Sequence, residues 1–185
     1  MDRMEPCWTM DGFTLRPGRP EDAEAYYAQN FCPLDSEVAR LTGSPARFTR
    51  EAVVSFYLNC LDADDRYDFL LIAPDGRIIG ESVINEMDRE ARSANYRVCI
   101  FHAKECGRGI GTWMVKATRD FAFGDLRLHR LSLNVLSINP RAERVYRNAG
   151  FRREGVLRDA VRIDGAYADD ILMAILEDEW HAIGK

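Results

Sequence analysis

The sequence has no dense block of Lys and Arg, no run of about 18 apolar residues and no CxxC spacing. The first absence, with 30 acidic against 25 basic residues, argues against a nucleic-acid-binding surface. The second argues against a membrane-spanning helix, and the N-terminal "MDRMEPCWTM" has no apolar signal-peptide core. We therefore expect a cytoplasmic protein that binds neither nucleic acid nor a membrane.

Metal-binding and disulfide patterns are also missing. The five cysteines are odd in number and carry no paired spacing, which indicates a reducing compartment. The three histidines, His102, His129 and His181, are scattered and form no HxxxH or Cys/His cluster. We therefore predict that the protein holds no metal.

The chain suits one domain, because 185 residues of which 46% are hydrophobic can bury a sizeable core. Apolar periodicity predicts the element order β-α-α-β-β-β-α-β-α-β-β. Hairpins mixed with strand–helix–strand crossovers indicate an α/β or α+β class, with a mixed, mainly antiparallel sheet of about six or seven strands and about four helices. We place the domain at residues 11–180 and treat residues 1–10 as an N-terminal extension.

The stretch "KECGRGIGTWMVKATRDFAF" places Gly107, Gly109 and Gly111 directly before a predicted helix. A Walker A loop is excluded because Gly111 is followed by Thr112 without a Lys, and a dinucleotide fingerprint is excluded because the third glycine comes one position early. The three glycines still indicate a site for a phosphate group. Unpaired N–H groups at a helix N-terminus bind anions, and glycine lets a phosphate approach them.

The surroundings of these glycines resemble the GCN5-related N-acetyltransferases. The segment from Cys106 to Gly111 is similar to that family's motif A, whose pattern is Gln/Arg-x-x-Gly-x-Gly/Ala between a strand and a helix. The segment "NPRAERVYRNAGF" is similar to its motif B, and both motifs occur in the expected element order. The segments "NEMDREARSANYRVCI" and "RIDGAY" resemble the branch of RimJ/RimL-type enzymes and spermidine N-acetyltransferases. The resemblance covers roughly residues 14–176.

This resemblance implies a fold whose central parallel strands splay apart to hold acetyl-CoA. It implies transfer of an acetyl group from acetyl-CoA, as co-substrate, to a primary amine by direct attack in a ternary complex. A polyamine, a protein N-terminus or another small amine would fit as the acceptor. The alternative is a catalytically inactive CoA-binding sensor or regulatory module. Family members pair, so we also expect a homodimer or a higher homo-oligomer.

The resemblance also implies which residues bind the cofactor. These are Val98, Cys99, Ile100, Gly107, Arg108, Gly109, Ile110, Gly111, Thr112 and Asn139. A backbone amide near Val98 to Ile100 would face the acetyl oxygen. One position departs from the family pattern, because Cys106 stands where Gln or Arg helps to bind the pyrophosphate. Either Arg108 or the backbone amides would then take over that contact.

Acetylation of an amine requires an acid and a base. An amine with a pKa near 10 is mostly protonated at pH 7 and must lose a proton, and the leaving thiolate must be stabilised. The resemblance gives the second role to Tyr146. For the base, Glu86 is the first choice and Glu81 the reserve, and a water relay without a dedicated base is also open. Asp35 and Glu37 would attract a cationic amine.

Overall fold

The structure, a computed structural model, describes residues 4–45 and 47–184. It contains eight strands and six helices in these ranges. The strands are β1 (Trp8–Met10), β2 (Phe13–Pro17), β3 (Tyr67–Ile72), β4 (Ile78–Asp88), β5 (Ser93–Ile100), β6 (Arg130–Leu136), β7 (Arg152–Ile163) and β8 (Ala166–Leu176). The helices are α1 (Ala23–Asn30), α2 (Ser36–Thr42), α3 (Arg50–Asp62), α4 (Ile110–Gly124), α5 (Pro140–Asn148) and α6 (Glu177–Ile183).

All eight strands form one sheet in the order β1-β2-β3-β4-β5-β6-β8-β7. Every neighbouring pair is antiparallel except β5 and β6, which run parallel. The crossover between these two strands is made by α4, as a parallel connection requires. The predicted class, a mixed and mainly antiparallel sheet with helices, is confirmed.

Helices cover both faces of the sheet, so two hydrophobic cores form. On β3, Phe69 and Leu71 point into the larger core with α4, whereas Leu70 between them points into the smaller core with α1 and α3. Successive side chains of a strand point to opposite faces. This two-sided burial explains why the sequence reads as the continuous apolar run "FLLI" rather than as an alternation.

Two elements have ends that are marked by residues typical of those positions. Asn139 caps α5 by accepting a hydrogen bond from the Ala142 N–H at 3.1 Å, and Gly150 follows the helix at φ +97°. The hairpin of β7 and β8 turns at Asp164 and Gly165, both at positive φ, as a type I′ turn requires.

The predicted element counts were too low by one strand and two helices. The missed elements are β1, α2 and α6. β1 is a three-residue strand within the segment we treated as an extension, and its Trp8 packs edge-on against Phe69 with ring centroids 5.2 Å apart. Residues 1–3 of that segment lie outside the described residues. α6 is held by Trp180, which stacks on Phe123 at 5.5 Å. Packing on the sheet fixes β1, whereas α2 carries local end signals, the Asp35 N-cap and Gly43 at φ +66°, that the predicted element order did not use.

No helix in the described part of the chain is long and apolar enough to cross a membrane.

Candidate active site

The two parallel strands separate soon after they meet. β5 and β6 pair only through Ser93–Asn95 and Arg130–Ser132, and the rest of β5 keeps β4 as its partner but leaves β6. A pocket of about 190 Å³ opens beside this splay. Its walls are the end of β5, the loop of residues 107–111 (the glycine loop), the first turns of α5 and one face of α2. The expected opening between the central strands is therefore present.

Two backbone N–H groups of β5 point into the opening. The Phe101 N–H donates to the Ile79 carbonyl at 2.9 Å, which makes that pair a hydrogen-bonded one in the β4–β5 ladder. Because antiparallel pairs alternate, the N–H of Cys99 turns to β4, whereas those of Val98 and Ile100 turn away from it. Past Asn95, β6 supplies no partner on that side. These amides can therefore donate to an oxygen held in the pocket.

The glycine loop presents a second row of free amides. The Cys106 N–H bonds to Ala103, and the next backbone N–H outside the α4 ladder with a partner is that of Trp113, which bonds to Gly109 at 3.0 Å. Within the described chain, the amides between them have no protein acceptor. Gly107 and Gly109 adopt φ of +90° and +80°, and a Cβ added at either would meet nothing within 4 Å. The loop is an open cradle that suits a phosphate.

The side chains at this loop do not supply a charge to the pocket. The Cys106 thiol points back to the chain and donates to the His102 carbonyl at 3.9 Å. Burial raises the pKa of this thiol, which keeps it neutral. Arg108 is exposed and forms an ion pair with Glu105 at 3.6 Å, and it does not line the pocket. Ile110 is buried in the larger core.

Tyr146 lies on the inner face of α5 and lines the pocket. Burial is the main cause that raises the pKa of this phenol, with a further contribution from Cys99. Its hydroxyl makes no hydrogen bond with any described residue, although its ring packs against Phe151 at 6.0 Å. The side chain is thus a protonated phenol, fixed by packing, whose donor is free for a ligand.

Helix α2 forms the roof of the pocket and is anchored by Asp35. The Asp35 carboxylate accepts from the N–H groups of Glu37 and Val38 as an N-cap, and from the Ala103 N–H at 3.1 Å. Burial alone would raise the pKa of Asp35, but these three donors outweigh it and the pKa is lowered. Asp35 therefore holds α2 against the turn before the glycine loop.

The two candidate bases lie in different surroundings. Glu81 stands opposite Cys99 in the β4–β5 register, accepts from the Tyr26 hydroxyl at 2.7 Å and lies 3.4 Å from Arg97. Glu86 is exposed at the irregular end of β4, with φ +54°, beside Asn85. The structure therefore brings Glu81 close to the pocket wall and leaves Glu86 outside this group.

Most of the predicted residues meet in this pocket. Those that line it are Val98, Cys99, Ile100, Gly107, Gly109, Gly111, Thr112, Asn139 and Tyr146. Sequence reasoning missed other lining residues, namely Val38, Leu41, Thr42, Arg141, Ala142 and Val145. Arg141, Ala142 and Val145 lie inside the "NPRAERVY" segment and share its helix. The local sequence of α2 indicates a helix but not that this helix lines a pocket. Among the described residues, no three His, Cys, Asp or Glu side chains are grouped to hold a metal.

Comparison with known proteins identifies the family. The model of the acetyltransferase (GNAT) domain matches residues 13–152. The probable N-acetyltransferase YjcK of Bacillus subtilis is 32% identical over 127 residues, which is 68% of this chain and 70% of that protein. The uS5-alanine N-acetyltransferase of Escherichia coli is 25% identical over 68% of this chain and 60% of its own.

Solved structures share the whole architecture. Spermidine N-acetyltransferase from Vibrio cholerae, in complex with CoA and spermine, superposes with a TM-score of 0.81 at 23% identity and covers 93% of this chain and 99% of its own. A dodecameric structure of that enzyme gives a TM-score of 0.77 at 23% identity, covering 95% and 100%. This likeness shows the fold. The family model spans β2 to β6, the glycine loop and α5. The chain therefore belongs to the GNAT family of acetyltransferases.

Proposed function

We propose that the protein transfers the acetyl group of acetyl-CoA to a primary amine by direct attack within the splay of β5 and β6. The observation that carries this proposal is the arrangement around one pocket. Free amides of β5, the open glycine loop and the unpaired Tyr146 hydroxyl all border it. An inactive CoA-binding module would have no use for a phenol at that position, so the arrangement favours the enzyme.

Each group has a separate task in the transfer. Acetyl-CoA supplies the activated acetyl group as a thioester. The amine nitrogen forms a bond to the carbonyl carbon while the bond from that carbon to sulfur breaks. The N–H of Val98 or Ile100 donates to the carbonyl oxygen as it gains negative charge, and Tyr146 donates its proton to the departing sulfur. The amides of residues 107–112 hold the pyrophosphate.

Glu81 is the base favoured by position, acting directly or through a water. It lies across from Cys99, which lines the pocket, and it is the side chain to which the attacking amine would lose its proton. Tyr26 and Arg97 both contact this carboxylate and hold it in place. Glu86, our first choice from sequence, is exposed at the end of β4 and is assigned no role in the transfer.

The acceptor is a cationic primary amine. A polyamine is the first candidate, because a spermidine N(1)-acetyltransferase of Vibrio cholerae is 31% identical over 103 residues, 56% of this chain and 59% of that protein. A protein N-terminus is the second, because a relative named for uS5 alanine is also similar. Asp35 is committed to backbone donors, so Glu37 is the better placed of the two acids expected to attract an amine.

The test is thiol release from acetyl-CoA in the presence of a panel of amines. The panel contains spermidine, spermine, an amino sugar and a peptide with N-terminal alanine. We expect one class to be acetylated, with the product identified by mass spectrometry. If the protein binds acetyl-CoA but acetylates no amine, the binding-module alternative replaces the enzyme. If acetyl-CoA does not bind, the whole proposal is wrong.

A further inference from the structure

The glycine loop and its flanking side chains supply no positive charge for the pyrophosphate of CoA. A CoA pyrophosphate is anionic, yet the position that carries Gln or Arg in the family pattern is Cys106, whose thiol is neutral and turned to the His102 carbonyl. Arg108, the expected substitute, is paired with Glu105 outside the pocket. Backbone amides remain, but a charge-assisted hydrogen bond from a guanidinium to a phosphate is about twice as strong as a bond between neutral groups.

We propose that Arg141 supplies the missing positive charge and binds the pyrophosphate from the α5 side. This inference rests on the proposed use of acetyl-CoA and adds a binding residue that belongs to this chain's own departure from the family pattern. Arg141 would contact from one wall the same phosphates that the glycine loop cradles from the other.

The position of Arg141 carries this proposal. It lines the pocket together with Gly107 and Gly109, although it follows Asn139 on a different element. Among the described residues that line the pocket, it is the single charged side chain. It forms no ion pair with any described residue, in contrast to Arg108. A guanidinium without a carboxylate partner, facing a row of free amides, is suited to a bidentate phosphate contact.

The electrostatics agree with this placement. Burial raises the pKa of the Cys106 thiol, and Arg141 is the strongest influence that opposes the rise. Both residues line the same pocket, Cys106 from the loop and Arg141 from α5. In the proposed complex, this cation of α5 takes over the contact that a Gln or Arg of the loop makes in the family pattern.

The experiment compares Arg141→Gln with Arg144→Gln by calorimetric titration with CoA. Arg144 is the matched control, because it is an exposed arginine of the same helix that does not line the pocket. We expect Arg141→Gln to raise the Kd for CoA about tenfold and Arg144→Gln to leave it within about twofold. Loss of a positive charge near a helix N-terminus does not destabilise that helix, so the unliganded melting temperature should hold.

Two further arms make the outcome specific. Dephospho-CoA keeps the pyrophosphate, so its Kd should rise by the same factor, whereas a loss confined to CoA would assign Arg141 to the 3′-phosphate and overturn the proposal. Adding Cys106→Arg to Arg141→Gln should recover most of the affinity. Equal losses in both arginine variants, or no loss with Arg141→Gln, would also overturn it. If the unaltered protein binds no CoA, it is the proposed function that fails.

Discussion

At the scale of single residues, the chemistry depends on donors that the protein leaves unsatisfied. The Tyr146 hydroxyl, the Val98 and Ile100 amides of β5 and the amides of the glycine loop have no partner in the described chain. Polar groups in folded proteins normally find partners, so unpaired donors around one pocket indicate a ligand. Tyr146 was predictable because it falls within the motif B segment. Sequence alone could not rank Glu81 above Glu86, because both lie on β4. The strand register separates them: Glu81 stands opposite Cys99, whereas Glu86 lies where the pairing with β5 becomes irregular.

Tyr146→Phe removes the proton donor and keeps the ring. We expect kcat for acetyl transfer to fall by about 10²-fold or more, with the Kd for acetyl-CoA unchanged, because the ring packing against Phe151 persists. Steady-state kinetics and calorimetry measure the two quantities. Equal turnover by this variant would remove Tyr146 from the transfer step.

Glu81→Gln and Glu86→Gln separate the two candidate bases. We expect Glu81→Gln to lower kcat at least about tenfold at pH 7, because the amide cannot accept the amine's proton. Glu86→Gln should stay within about twofold, because that side chain is exposed at the end of β4. If Glu81→Gln regains full activity as the pH is raised, solvent can replace the base. The reverse order of the two variants would restore Glu86 as the base.

At the scale of elements, the parts with strong local signals were predictable and the parts fixed by tertiary contacts were not. α5 is delimited by Asn139 and Gly150, and the hairpin of β7 and β8 by its Asp-Gly turn. α2 has seven residues and depends on Asp35, whose third hydrogen bond reaches Ala103. Such a bond spans two distant segments, so no periodicity in the sequence could reveal that α2 forms the roof of the pocket.

Asp35→Ala should loosen this roof. We expect a loss of about 1 kcal/mol in the free energy of unfolding at pH 7 from the lost N-cap, and a higher Kd for acetyl-CoA. The pKa of Asp35 is lowered in the folded state, so its contribution is present above the unfolded pKa and is lost as the pH falls through the folded value. The free energies of unfolding of the unaltered protein and of Asp35→Ala, measured with urea, should therefore converge at acidic pH. A constant difference down to pH 2 would show that the carboxylate charge is irrelevant.

At the scale of the whole molecule, the long hairpin of β7 and β8 ends the sheet with apolar groups in contact with solvent. Leu157 and Tyr167 are 51% and 65% exposed, and β7 is an edge strand. Exposed edges are normally covered or blunted. This exposed apolar edge supports the homo-oligomer that we expect from the sequence resemblance.

Light scattering should therefore give a mass of at least twice the 21.1 kDa of one chain. We expect Leu157→Glu to lower that mass, because a charge would be buried at the shared edge. Phe56→Glu is the control, since Phe56 is also 51% exposed but lies on α3. A monomer in the unaltered protein, or equal effects of both variants, would contradict the assignment of this edge.

A single turnover of acetyl-CoA with the best amine distinguishes direct transfer within the splay from transfer through an acetylated protein. Mass spectrometry of the product and of the intact protein would follow the acetyl group. We predict that the amine gains the acetyl group while the protein mass never changes, because Cys99 and Cys106 hold neutral thiols whose pKa burial raises. An acetylated protein that precedes the product, or acetyl-CoA that stays unconsumed with every amine, would rule out direct transfer.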